Sequence, residues 1–192
     1  MEEKTLAEEL TKNLDRGFEK MVRTYQDRMY SFAIRLTGHV QDGEDVAQEG
    51  FVRAYRALKS YPGERISSMD LKPWLYRIVL NVFRNRRRGY RPTILPLNEG
   101  KAGPGLGARE DASLSPQSLL EVSEGQKQLA KALASLPGKY RVPVILRHME
   151  GLSYGEMSEM IGQPAGTLKS NVHRGLRMLR EAWVRQTKED ER

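Results

Sequence analysis

The chain has 192 residues, 39% hydrophobic and 30% charged, with net charge +7 and no Cys, which excludes disulfides, thiolate nucleophiles and Cys-ligated metals. Such a length holds one large domain or two small ones, and the modest apolar share suits thin helical cores better than one deep core. No run of about 18 apolar residues occurs, and Met1-Glu2-Glu3-Lys4 lacks the basic-then-apolar layout of a signal peptide, so a cytoplasmic protein without membrane insertion is expected.

Steps of three and four residues through Phe18, Met21, Val22, Tyr25, Met29, Phe32, Ala33 and Leu36 predict an amphipathic helix, with Gly38 as its stop. Asp42 fits the N-cap of a second helix, which turns Val46, Ala47, Phe51, Ala54, Tyr55 and Leu58 inward. A loop is expected from Ser60 to Lys72, and Pro73 suits the first turn of a third helix. That helix buries Trp74, Leu75, Ile78, Val79 and Val82. Its opposite stripe is Arg77, Asn81, Arg84, Asn85 and Arg88, a row of forked donors and amides of the kind that contacts phosphates and base edges. Tyr61, Tyr76, Phe83 and Tyr90 flank this stripe, as candidate stacking surfaces for bases or as core residues.

The positive charge is concentrated. Residues 71–91 hold seven Lys/Arg and no acid, and residues 166–180 hold four Lys/Arg and no acid. Two acid-free blocks on patterned helices favour a polyanionic partner over a merely solvated face. Between them, residues 92–116 carry eight Gly or Pro without an apolar period, which reads as a flexible tether between two modules that move independently until a partner fixes them.

The C-terminal module is also read as helical. Ser115-Pro116 can open a helix carrying Leu119, Leu120, Val122, Leu129 and Leu133, and Tyr140–Met149 forms a second apolar segment that Pro143 bends or begins. Ser153 followed by Glu156 is a capping box for a short helix with Met157 and Ile161 inside, and Gly162 ends it in a left-handed turn. A longer helix follows, with Leu168, Val172, Leu176, Leu179 and Trp183 inward and Lys169, Ser170, His173, Arg174 and Arg177 outward. Short helix, glycine turn and basic second helix make the helix-turn-helix plan, whose second helix enters the major groove.

Four motifs in order resemble the extracytoplasmic-function group of bacterial RNA polymerase sigma factors. They are Asp42-Gly43-Glu44-Asp45-Val46-Ala47-Gln48-Glu49-Gly50-Phe51, Trp74-Leu75-Tyr76-Arg77-Ile78 with Asn81, Gly151-Leu152-Ser153-Tyr154-Gly155-Glu156-Met157, and Gly166-Thr167-Leu168-Lys169-Ser170. The resemblance covers roughly 15–90 and 120–183, and implies an all-α fold of two small helical domains: a sigma domain 2-like unit over 1–91, a linker over 92–116 and a sigma domain 4-like unit over 117–192. It implies that Asp42, Asp45, Gln48, Glu49 and Phe51 bind the clamp helices of the largest subunit of core polymerase. Tyr61, Arg77, Asn81, Arg84, Asn85 and Arg88 would capture the melted non-template strand of the minus-ten element. Thr167, Lys169, Ser170, Asn171, His173, Arg174 and Arg177 would read the minus-thirty-five duplex. An anti-sigma protein is the further partner it implies.

No cofactor, metal or catalytic residue is expected. His39, His148 and His173 have no thiol partner, no phosphate-cradling loop or nucleophile elbow occurs, and the carboxylates at 42–49 lack a nearby His. The rival reading is a stand-alone helix-turn-helix regulator with an N-terminal sensor or dimerisation domain, which would not need a second nucleic-acid face.

Overall fold

A computed structural model describes residues 2–87 and 124–190, which form helices without a strand among them. The order is α1 (Glu2–Lys12), α2 (Leu14–Thr37), α3 (Val40–Ser60), α4 (Gly63–Ser68) and α5 (Leu71–Arg87), then α6 (Glu124–Ser135), α7 (Gly138–Val144), α8 (Tyr154–Ile161) and α9 (Ala165–Asp190). The expected tether at 92–116, Arg88, Tyr90 and the helix start at Ser115 lie outside the described residues. Among the described residues no helix is long and apolar enough to cross a membrane.

The N-terminal bundle is organised by α2. The Asn13 side chain accepts from the Arg16 amide at 3.1 Å to cap its start, and Gly38, at φ 84°, ends it with an N–H to Ile34 O at 2.7 Å. Phe32 meets Tyr76 edge to face with centroids 4.9 Å apart, and Met21, Met29, Leu36, Leu58, Leu75 and Leu80 are fully buried around them. Gly43 lies so close to α2 that a Cβ would come within 2.8 Å of the Ile34 backbone, so the motif glycine is a packing requirement of the α2–α3 crossing.

Several expectations need correction here. The second helix begins at Val40 with His39 at its N-cap, so Asp42 sits in the first turn, where its charge complements the helix dipole. The segment expected as a loop contains α4, held by buried Ile66 against α1. Helix α1 precedes the first helix expected from the pattern, and Leu6, Ala7 and Leu10 bury its inner face. Tyr76 and Phe83 are core residues, 0% and 5% exposed, so neither presents a stacking surface.

The C-terminal bundle packs α7 and α8 against α9. Helix α7 carries Pro143 inside it and widens into a π-helical turn at Ile145–Met149, closed by Glu150 N–H to Ile145 O at 3.2 Å. Leu168 and Val172 are buried as expected, but Leu176 and Trp183 are 36% and 40% exposed, because α9 runs on past the bundle that covers its first turns.

The two bundles are in contact. Helix α2 packs on α6 and α5 on α8, and buried apolar residues of both halves form one continuous cluster. Arg141, 7% exposed, spans the junction: its guanidinium donates to Leu36 O at 2.6 Å, to Leu136 O at 2.9 Å and to Ala134 O. No carboxylate answers it in these bonds. The acceptors are carbonyls at the ends of α2 and α6, groups that lack intrahelical partners and carry partial negative charge. Burial, with Arg87 nearby, lowers its pKa from the ordinary value.

Candidate nucleic-acid interface

The helix-turn-helix is built by local chemistry. The Ser153 side chain accepts from the Glu156 amide at 3.2 Å, while the Glu156 carboxylate accepts from the Ser153 amide at 2.6 Å, completing the capping box. Gly162, at φ 74°, donates its N–H to Ser158 O at 2.9 Å and turns the chain into α9. The Ser153 hydrogen bonds hold the Glu156 carboxyl below its ordinary value of 4.5. A depressed folded-state pKa means that this contribution is fully present above pH 4.5 and is lost as pH falls through the folded value. Protection factors of the α8 amides, taken relative to the intrinsic exchange rate at each pH, should therefore fall on acidification below pH 4.5, and Glu156→Gln should flatten that response. An unchanged pH profile in the Gln variant would remove the assignment.

Thr167, Lys169, Ser170, His173, Arg174 and Arg177 are all exposed on α9, and Asn171 is half-buried at the edge of this face. Ser170 donates its hydroxyl proton to Gly166 O at 3.1 Å, leaving oxygen lone pairs as acceptors. The neighbouring Lys139 and Arg174 cations hold the Tyr140 phenol below its ordinary pKa.

The second basic face is less open. Arg77, Asn81, Arg84 and Asn85 are half-buried along α5, and Arg77 donates to Glu159 O in the last turn of α8. Tyr61 is half-buried, with the Arg65 guanidinium 3.8 Å over its ring and Trp74 edge-on at 6.3 Å. That aromatic–cation stack was not anticipated as a unit; Arg65 is the residue that sequence reasoning missed, since only the turn of α4 aims it at Tyr61.

The acidic face of α3 divides. Asp42, Asp45 and Gln48 are exposed, whereas Glu49 is half-buried between Arg53 at 2.6 Å and Arg86 at 3.1 Å, and Arg86 also reaches Asp45 at 3.2 Å. Phe51, expected on this face, is 5% exposed and belongs to the core, because helical spacing puts it on the stripe with Ala47 and Ala54. Among the described residues no group of His, Asp and Glu is placed to hold a metal ion.

Two helical bundles, one carrying a helix-turn-helix and the other a basic helix beside an acidic one, define the class of helix-turn-helix DNA-binding proteins. The chain matches the family Sigma-70 region 2 over residues 21–93 and the family Sigma-70, region 4 over residues 126–179. It is 31% identical over 168 residues to the ECF RNA polymerase sigma factor SigW of Bacillus subtilis, covering 86% of this chain and 88% of that protein. With the ECF RNA polymerase sigma-E factor of Escherichia coli the identity is 32% over 178 residues, covering 90% and 89%. The ECF RNA polymerase sigma factor SigE of Mycolicibacterium smegmatis is 35% identical over 177 residues, 90% of this chain but 64% of that protein's length. In fold the chain is similar to CnrH, solved with the cytosolic domain of CnrY, at a TM-score of 0.64 and 21% identity, covering 93% of this chain and 95% of that one. It is also similar to the sigma factor RpoE of Bartonella quintana, solved with the anti-sigma factor NepR, at 0.57 and 23%, covering 86% and 96%. The chain belongs to the ECF group of RNA polymerase sigma factors, proteins of transcription initiation.

Proposed function

We propose that the chain brings core RNA polymerase to particular promoters, with α9 reading the upstream duplex element and α5 engaging the melted strand of the downstream one. The observation that carries this reading is the presence of two basic helical faces on separate bundles, each within its own matched sigma region. A regulator that acts through its helix-turn-helix alone has no use for the second face. The exposed carboxylates Asp42 and Asp45, with Gln48, are the surface offered to the polymerase clamp helices. Residues 1–91 and 117–192 are the two working units and 92–116 the connection between them. The protein works by binding rather than by catalysis, in the cytoplasm with the polymerase. An anti-sigma partner is supported by the similar fold of RpoE, solved with the anti-sigma factor NepR.

Run-off transcription from genomic DNA, with core polymerase in the presence and absence of the chain, tests this directly: new defined start sites are expected only with the chain. Asp45→Lys is the docking probe, since Asp45 is 56% exposed, while Glu49→Lys would set a third cation beside Arg53 and Arg86 and weaken the fold as well. Asp45→Lys should weaken core binding at unchanged circular dichroism. Unchanged binding would take the docking site away from α3.

A further inference from the structure

At the start of α3 and the end of α5 the two bundles leave a cleft of about 510 Å³, lined among others by His39, Asp42, Phe83, Arg86, Arg87 and Arg141. That volume is in the range of small-ligand sites. Its charge is one-sided. Arg86 is answered, since it donates to Glu49 at 3.1 Å and to Asp45 at 3.2 Å. The nine-tenths buried Arg141 donates to carbonyls alone, and its four bonds leave one of the five guanidinium N–H groups over, on Nη1. Arg87 is exposed, and among the described residues no carboxylate pairs with it. Its Nη1 reaches the start of α7, 3.4 Å from the place a Cβ would take on Gly138. Two guanidiniums therefore line one cleft with no counter-charge bonded to either, and with burial Arg87 lowers the Arg141 pKa. The start of α3 adds donors. His39 makes no side-chain cap bond there, and the amides of residues 40–42 precede the first helical bond, from Gly43 N–H to His39 O at 3.0 Å. Asp42, exposed in that first turn, is the one carboxylate among the lining residues.

We propose that this cleft binds a small ligand bearing a diphosphate group, held by Arg87, the spare N–H of Arg141, His39 and the first amides of α3. A buried cation is ordinarily paired, because a charge taken out of water without a counter-charge is costly. An anion between Arg87 and Arg141 removes that cost at both. Planar guanidinium forks match phosphate oxygens, and a helix N-terminus presents N–H groups and positive potential to the same oxygens. A diphosphate suits the cleft better than a single small ion, since the donors come from three separate elements and the volume holds more than one phosphate group. The lining residues belong to both bundles, so the ligand binds their joined arrangement and stabilises it by mass action. The inference does not depend on which DNA element each helix reads.

Isothermal titration of the full-length chain with pyrophosphate, and in a second arm with adenosine diphosphate, both free of divalent ions, tests the site. Saturable binding of one ligand per chain is expected. At about a hundred times the dissociation constant the melting temperature should rise by roughly 5–10 °C. Equal affinity in the two arms assigns recognition to the diphosphate group, and tighter nucleotide binding adds the Phe83 wall; either supports the site. Arg87→Ala should weaken binding about tenfold. Arg56→Ala, which removes an exposed cation of α3 outside the cleft, should leave it unchanged. Without ligand, Arg87→Ala should melt no lower than the parent, because it takes a like charge away from Arg141. Arg87→Gln answers the same questions should the Ala variant fail to fold by circular dichroism. Absence of saturable binding would overturn the proposal, and equal weakening by Arg56→Ala and Arg87→Ala would reduce it to diffuse attraction by a cationic chain. A lower melting temperature of the ligand-free Arg87 variants would make this arginine a structural group and remove the charge argument.

Discussion

Replacing Arg141 with Leu is expected to lower folding stability by about 2–4 kcal/mol. Exchanging a buried ion pair for apolar residues is often neutral, because both charges leave together. Here the partners cannot leave: they are the backbone carbonyls of Leu36, Ala134 and Leu136, which stay where they are after substitution. Each becomes a buried acceptor without a donor, and such a group costs about 1–3 kcal/mol, offset in part by the removal of a buried cation. Arg141→Lys should recover less than half of the loss, since a single ammonium cannot span two helix ends as a planar fork does. Urea unfolding followed through Trp74 and Trp183 measures both variants, one reporter in each bundle. The Leu variant should also separate the two reporters' transitions, because Arg141 joins the α2 end to the α6–α7 turn. A loss below about 0.5 kcal/mol would mean that water reaches these carbonyls and that the guanidinium is dispensable.

Arg141 and Glu150 also mark the limit of what was legible in the sequence. The stripes that bury α2, α3 and α5 obey helical spacing, and the capping box of α8 and the glycine turn before α9 are local devices, so they could be read from residues a few positions apart. The contacts of the buried Glu150 carboxylate and the guanidinium bridge are long-range: Glu150 finds Tyr76 at a separation of 74 residues and Arg35 at 115, and Arg141 finds Leu36 at 105. Nothing local in Arg141 or Glu150 distinguishes a buried charge from an exposed one. Tyr76 misled for the same reason, since a tyrosine beside an arginine stripe fits either a stacking surface or a core whose hydroxyl has found a distant acceptor. Helix α1 escaped because Leu6, Ala7 and Leu10 are too few to establish a period, and α4 because six residues make less than two turns. Leu176 and Trp183 show the reverse error: the inward stripe of α9 continues in sequence after the neighbouring helices have ended.

The two basic faces should separate cleanly under mutation. Arg174 lies on α9 one turn beyond Ser170 and is exposed, on the face the helix-turn-helix would turn to the duplex. Arg174→Ala should lower affinity for the upstream duplex by about 1–3 kcal/mol if the contact is bidentate to a base, and by less, with a shallower salt dependence, if it is to a phosphate. On a template with a pre-melted start region the same variant should open normally. Asn81 is half-buried on α5 beside Arg77, with an amide that can both donate and accept. Asn81→Ala should leave duplex affinity unchanged and reduce strand opening roughly tenfold, a difference on the order of 1.4 kcal/mol, which permanganate reactivity of unpaired thymines follows directly. The two effects should add in the double variant, because the residues sit on separate helices with no shared partner. Normal opening by Asn81→Ala would reduce α5 to a basic surface occupied by α8, and the helix-turn-helix would then be the only reader of DNA in the chain.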